Sequence, residues 1–228
     1  MAVVLVNWNG AADTLATLAS LDRCAVAAVS ALRPIVVDNG STDATGAIAA
    51  HAGARVIREP RRGYGAACWA GVSGLPSDTD VAVFLDGDGS QHPEELPRVL
   101  APLVADRADL VLGARQFRGD HPLHATSGTR LVAAFVAWRY GVRITDIGPF
   151  RAIRMLLLRH LAMRDRGFGW PVEMVVRAAG AGARIVEVPV SHAPRQGGRS
   201  KVSGTLSGSV RAGYAFVATA LRAAREAS

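Results

Sequence analysis

The chain has 228 residues, half of them apolar and a fifth charged. That is enough to bury about 70–75% of the unfolded surface in one core, and it excludes wholesale disorder and low-complexity classes. Residues 1–114 carry 8 arginines against 13 acids, whereas residues 115–228 carry 18 basic residues against 6 acids. A basic half of this kind favours polyanions: nucleic acid, an anionic membrane surface or a phosphorylated substrate. Arginine outnumbers lysine 25 to 1, which also reads as compositional bias and makes the single lysine, Lys201, stand out.

Taken in chain order, Ala2–Val6, Pro34–Val37, Arg55–Arg58, Val81–Leu85 and Leu110–Gly113 read as short apolar strands. Helical patterns fall between them at about 11–31, 43–52, 65–75 and 93–106. Continuously apolar strands separated by helices predict a parallel sheet buried on both faces. A Gly/His/Arg-rich loop is expected over 114–128, a helix over 129–141 and a short strand at Arg143–Asp146. Helices near 150–163 and 171–181 follow, then a strand at Arg184–Val190, a loop over 191–204 and a last helix over 205–225. Cys24 and Cys68 lack CxxC spacing, so neither a disulfide scaffold nor a zinc knuckle is expected. The N-terminus has no basic n-region ahead of its apolar run. The longest apolar runs, such as Leu131–Trp138, fall short of the ~20 residues of a spanning helix. The expectation is a single soluble, cytoplasmic α/β domain.

Five segments carry residues suited to chemistry. In Val81–Leu96 a greasy strand ends in Asp86-Gly87-Asp88 and is followed by Gly89-Ser90-Gln91. Carboxylates one residue apart at a strand end can share a hard cation, and the glycines let a diphosphate approach the backbone. An EF-hand would need Gly and Glu where Gln91 and Pro97 stand. An acidic turn capping a helix accounts for Glu94 and Glu95 but leaves the two aspartates unexplained. Asp38 ends the second strand, where open α/β sheets place ligands, and is read as a base or ribose contact; Asp43 is read as a helix cap. Gly63 and Gly65 enter a helix whose N-terminus favours anions. Cys68 occupies the third glycine position of a dinucleotide fingerprint, against an NAD enzyme. Asp146, before Ile147-Gly148-Pro149, is either a turn residue or a general base. Arg195, Arg199 and Lys201 surround Ser200 on a glycine-bearing loop without aromatics for base stacking. His192 is read as an ordinary loop histidine.

Together with GAR at 113–115, the ordered series VDNGSTDAT, RRGYGAA, FLDGDGSQHPEEL, TDIGPFRAIR and RQGGRSKVSG resembles glycosyltransferase family 2 with the GT-A fold. Its nearest likeness is to the polyprenyl- or dolichol-phosphate sugar transferase branch, and it runs nearly to residue 204. The resemblance implies a Rossmann-like, mostly parallel central sheet flanked by helices. It also implies a nucleoside-diphosphate sugar donor, Mg²⁺ or Mn²⁺, and inversion at the anomeric carbon. By that resemblance Asp38 contacts the base, Asp86 lies near ribose and diphosphate, and Asp88 holds the metal with Gln91 as a further ligand. Asp146 faces the acceptor as the catalytic residue. Gly63, Arg115, Arg195, Arg199, Ser200 and Lys201 line the substrates. Residues 1–114 would form the nucleotide-sugar half, 115–204 the acceptor half and 205–228 a C-terminal helix able to lie on a membrane surface. The Asn7-Trp8-Asn9-Gly10 turn, which offers no acid, looks more like the family's cell-surface rhamnosyl and related transferases. That leaves the donor base and sugar open, and the expected acceptor is a polyprenyl phosphate or, alternatively, a hydroxyl of a cell-surface or small-molecule acceptor. A catalytically silent partner protein is the competing class; nucleic acid is not an expected partner, because strand-end carboxylates repel phosphates.

Overall fold

Strand β1 (Ala2–Asn7) sends Ala2 and Val4 to one face of the sheet and Val3 and Leu5 to the other, and all four side chains are fully buried. The same alternation divides β4 (Val81–Asp86) into Ala82 and Phe84 against Val83 and Leu85. Strands with both faces apolar must be covered on both sides. The computed structural model, which describes residues 1–24, 31–117, 124–193 and 206–226, does this with helices on each face. On one face α1 (Ala11–Asp22), α2 (Thr45–His51) and α4 (Leu96–Val104) pack through Leu18, Leu21, Ala49, Val99 and Leu100. On the other lie α3 (Tyr64–Ser73), α5 (His124–Tyr140), α7 (Trp170–Gly180) and α8 (Leu206–Glu226). Trp170, wholly buried, is the bulkiest side chain there and meets Phe84 and Trp69 edge-on at 6.4 and 6.2 Å.

With β2 (Arg33–Asp38), β3 (Arg55–Arg58), β5 (Leu110–Phe117), β6 (Arg151–Arg154) and β7 (Ile185–His192), the seven strands run in the order β3-β2-β1-β4-β6-β5-β7. All neighbours are parallel except β6, which is antiparallel to both β4 and β5. The mostly parallel sheet is as expected, but three local readings need correction. Arg143–Asp146 is not a strand, and β6 instead takes Arg151–Arg154, the front of the stretch expected to be helical; α6 (Met155–His160) starts only after it. The run FRAIRMLLLRH has no interruption by which periodicity could separate strand from helix, and pairing with β4 and β5 decides. Strand β5 continues past Gly113 because β7 pairs along it as far as Phe117–His192. Helix α1 stops at Asp22, so the expected helix over 11–31 is too long; residues 25–30 lie outside the described residues.

Trp170→Ala removes this ring from beneath β4 and leaves a cavity. Urea unfolding of the variant is expected to show a loss of about 3–5 kcal/mol; a loss under about 1 kcal/mol would mean the helices on this face close over the gap.

Candidate active site

The C-terminal ends of β1, β2 and β4 meet at one edge and bring Asn7, Asp38 and Asp86 together. Asn7 is 5% exposed, and its Nδ2 donates to the carbonyl oxygen of Gly87 at 2.6 Å, to that of Gly10 at 3.2 Å and to the Thr14 hydroxyl. The Gly87 N–H donates back to Val6 O at 3.0 Å, so the residue between the two aspartates is tied to β1 on both sides. From the opposite side the end of β7 holds the same turn. The Ala193 N–H donates to Ser90 O at 2.9 Å, and His192 forms an isolated antiparallel bridge with Gln91. Within the turn, Asp88 Oδ1 accepts the Ser90 N–H at 3.0 Å and the Ser90 hydroxyl at 2.6 Å, and Gly89 has φ +72°, a conformation that favours glycine. Gln91 is buried beneath the turn; its Oε1 faces the Asp86 N–H at 3.4 Å, and its Nε2 has no hydrogen-bond partner among the described residues.

At the end of β2, Asp38 Oδ1 accepts the Ser41 N–H at 2.8 Å, and Asp43 accepts the N–H and hydroxyl of Thr45 at the start of α2. Asn39 uses its whole amide. Nδ2 donates to Glu59 O at 3.1 Å and Arg61 O at 2.8 Å, while Oδ1 accepts the Gly63 N–H at 3.0 Å. A carboxylate has no proton for either carbonyl. Helix α3 does not present an open anion site. The N–H groups of Gly65 and Ala66 donate to the carbonyls of Gly167 and Arg166 at 2.9 Å, and a Cβ at Gly63 would stand 2.7 Å from Arg166 O. The glycines admit the 165–167 segment, whose Arg166 guanidinium then lies 4.2 Å from the Trp69 ring.

Arg115 and Asp146 form the tightest ion pair of the edge. Arg115 Nε donates to Oδ2 at 2.7 Å and Nη2 to Oδ1 at 2.8 Å, a bidentate fork. Oδ2 also accepts the Arg115 N–H at 3.1 Å and Oδ1 the Ile147 N–H at 2.8 Å. Glu187 on β7 accepts the N–H groups of Thr145 and Asp146 and fixes the turn from behind. Burial pushes the Asp146 carboxyl up, but the bonds to Arg115, its charge and the two amides outweigh this and hold it below the ordinary carboxylate value.

The sequence profile described as Glycosyl transferase family 2 matches residues 2–166. The chain belongs to this family. It is a glycosyltransferase of the hexosyltransferase class. It is 44% identical over 193 residues to an uncharacterised glycosyltransferase of Mycobacterium tuberculosis, covering 84% of this chain and 87% of that one. It is 35% identical over 189 residues to the undecaprenyl-phosphate mannosyltransferase of Micrococcus luteus, covering 76% and 77%. Against the polyprenol monophosphomannose synthase of Mycolicibacterium smegmatis it is 36% identical over 188 residues, covering 75% and 70%. The glucosyl-3-phosphoglycerate synthase of Mycobacterium tuberculosis, solved with Mn²⁺, UDP-glucose and phosphoglyceric acid, superposes with a TM-score of 0.75 at 23% identity. That match covers 98% of this chain and 79% of that one, and it establishes the GT-A fold.

In the transferase, the candidates Asp38, Asp86, Asp88, Gln91, Arg115 and Asp146 thus sit on strand ends and turns of the same sheet. Gly63 lies behind them, packed on Arg166. Arg195, Arg199, Ser200 and Lys201 lie outside the described residues. Sequence reasoning missed Asn7 and Asn39 as positioning amides, though their places directly after β-type runs were a signal. It also missed His192, which the parallel register of β7 with β5 carries to the Asp88–Gln91 turn.

Because its pKa is depressed, Asp146 lends stability that is present above its unfolded value near ~3.9 and is lost as pH falls through the folded value. Asp146→Asn is expected to cost about 3–5 kcal/mol at pH 7 by stranding Arg115. In denaturation series from pH 7 to pH 3 the gap to the native chain should narrow; a constant gap would place the effect elsewhere.

Proposed function

We propose that the transferase is a metal-dependent, inverting enzyme that moves a hexose from a nucleoside-diphosphate sugar to a polyprenyl phosphate. The observation that carries the acceptor class is the Arg115–Asp146 clamp. A carboxylate already holding four donors, with its pKa held down, is a poor base for a hydroxyl. A phosphate monoester, with a second pKa near ~6, brings its own negative oxygen and needs no base. The names of the Micrococcus and Mycolicibacterium relatives support the same choice.

In this reading residues 1–114 bind the donor, with Asp38 at the base and Asp86 near ribose and diphosphate, and residues 115–204 receive the acceptor. Asp88, with Asp86 and Gln91 beside it, would hold the cation. Among the described residues no group of three His, Cys, Asp or Glu gathers to cage a metal. A Mg²⁺-type ion held by one or two carboxylates completes its shell with substrate phosphates, so these hard oxygens fit Mg²⁺ or Mn²⁺ arriving with a diphosphate. Such an ion neutralises charge on the leaving diphosphate. The acceptor phosphate oxygen attacks the anomeric carbon opposite the leaving group. The bond to the donor β-phosphate oxygen breaks, and the nucleoside diphosphate departs with the electron pair. Asp146 orients Arg115 toward the acceptor, while Arg195, Arg199, Ser200 and Lys201 are assigned to the phosphates.

The test is label transfer from a nucleoside-diphosphate hexose with Mn²⁺ or Mg²⁺. Label is expected to pass to a short polyprenyl phosphate and not to the matching polyprenol, and to stop with a chelator or with Asp88→Ala. Asp146→Asn should lose less than the ~10²–10⁴-fold that removal of a general base costs. Transfer to polyprenol, abolished in Asp146→Asn, would replace this reading with the hydroxyl-acceptor one.

A lipid acceptor asks for membrane contact, and the outer face of α5 and α8 suits it. Leu131, Phe135, Trp138, Val217 and Leu221 line an apolar groove of about 360 Å³ between the two helices. Trp138 is 80% and Tyr214 76% exposed, and Arg130, Arg139 and Arg225 stand exposed around them. Aromatic rings with flanking arginines are the composition of a surface that lies in an anionic bilayer interface. No helix among the described residues is long and apolar enough to cross a membrane. Cosedimentation with phosphatidylglycerol-containing vesicles should fall about tenfold in Trp138→Glu. If the face instead joins two copies in solution, vesicle binding is unchanged and the oligomeric state shifts.

A further inference from the structure

Arg151 is the most deeply buried charge of the described residues, with no measurable exposure. It lies on β6 opposite Phe84 of β4. Cross-strand partners share a face, and Phe84 and Asp86 alternate onto that same face, so Arg151 lies on the same side of the sheet as Asp86. Its guanidinium donates through Nη2 to Gly148 O at 2.6 Å and through Nε to Pro149 O at 3.3 Å, the turn that leads on from Asp146. Nη1 is buried without a hydrogen-bond partner among the described residues. On α3 the Tyr64 hydroxyl is likewise buried, next to the Cys68 thiol. Burial dominates the upward push on the pKa of both groups; among the smaller causes Asp86 raises it and Arg151 lowers it.

An unpaired guanidinium with one N–H left over in an apolar core is costly. Its two bonds hold the Gly148–Pro149 turn, but carbonyls alone do not neutralise the charge, and its β6 neighbours at the same level, Leu112 and Phe84, are apolar. The next carboxylate along this face of the sheet is Asp86, two residues beyond Phe84 on β4. We propose that Arg151 is a positioning residue for Asp86, a buried cation that fixes the donor-side carboxylate and joins it to the turn bearing Asp146. Arg115 does the same from above, since its own charge is stabilised by Asp146 and also by Asp86. The proposal rests on the donor reading of Asp86 given above.

The experiment measures UDP and GDP affinity, each with Mn²⁺, by calorimetry on the full chain, with thermal unfolding of the same samples. If the native chain binds one nucleotide, Arg151→Met is expected to weaken it about tenfold or more, with Arg151→Lys retaining most of the affinity. A purely structural Arg151 would lower the melting temperature in both variants and leave the affinity of the folded fraction unchanged, which would overturn the proposal while the donor reading stands. If Arg151→Met fails to fold, the double variant Asp86→Asn/Arg151→Met decides. Recovery of folding shows that the stranded carboxylate was the cause, as coupling requires, and no recovery overturns it. Absence of nucleotide binding in the native chain would defeat the donor reading and this proposal together.

Discussion

The antiparallel insertion of β6 between β4 and β5 is the constraint on which the site depends. A parallel strand there would deliver its preceding loop to the far edge of the sheet. Running the other way, β6 begins beside the end of β4 and places the Asp146–Phe150 turn at the same edge as Asp86. The approach is close: the Gly113 N–H donates to Phe150 O at 2.8 Å, and a Cβ at Gly148 would stand 2.6 Å from Gly113 O. A Cβ at Gly113 would in turn stand 2.9 Å from Phe150 O, so glycine at both places is a condition for the Asp146–Phe150 turn to lie against β5, independent of any role in catalysis.

Part of the positive excess of the second half is committed within the fold. Arg177 pairs with Glu173 and Glu226, Arg222 with Asp165, and Arg184 with Asp106 and Asp109. Glu173, almost wholly buried, also accepts the N–H groups of Arg164 and Asp165 and so shapes the segment that docks on Gly63 and Gly65. Thus α7, α8 and the entrance to α3 are tied together by ion pairs and by the buried Glu173.

Strands β1, β2, β4 and β5 were legible because each holds an apolar run closed by Asp, Asn or Gly, so burial on two faces leaves few other readings. The turn at Asp86–Gln91 was legible for the same reason: carboxylates at the end of a greasy strand have no local explanation. Residues 143–154 were misread because Ile144 and Ile153 look alike in a linear pattern, and only competition for the gap between β4 and β5 selects the second. Asn7, Asn39, Arg151 and His192 could not be assigned from spacing. Each acts across more than fifteen residues of chain or through strand register, and an amide or guanidinium carries no local pattern that says which carbonyl it will meet.

The amides also bear on the charge balance of the edge. A second acid beside Asp38 and another at the end of β1 would crowd carboxylates at one sheet edge, and like charges at that range disfavour one another. With Asn at 7 and 39, the strand-end turns keep their hydrogen bonds while the negative charge is confined to Asp38, Asp86 and Asp88. Arg115 is paired with Asp146 at this edge, and Arg151, sealed in the core, holds the carbonyls of Gly148 and Pro149 in the turn that follows. The Asp146–Phe150 turn is in this way held from both ends by arginines, Arg115 at Asp146 and Arg151 at Gly148 and Pro149.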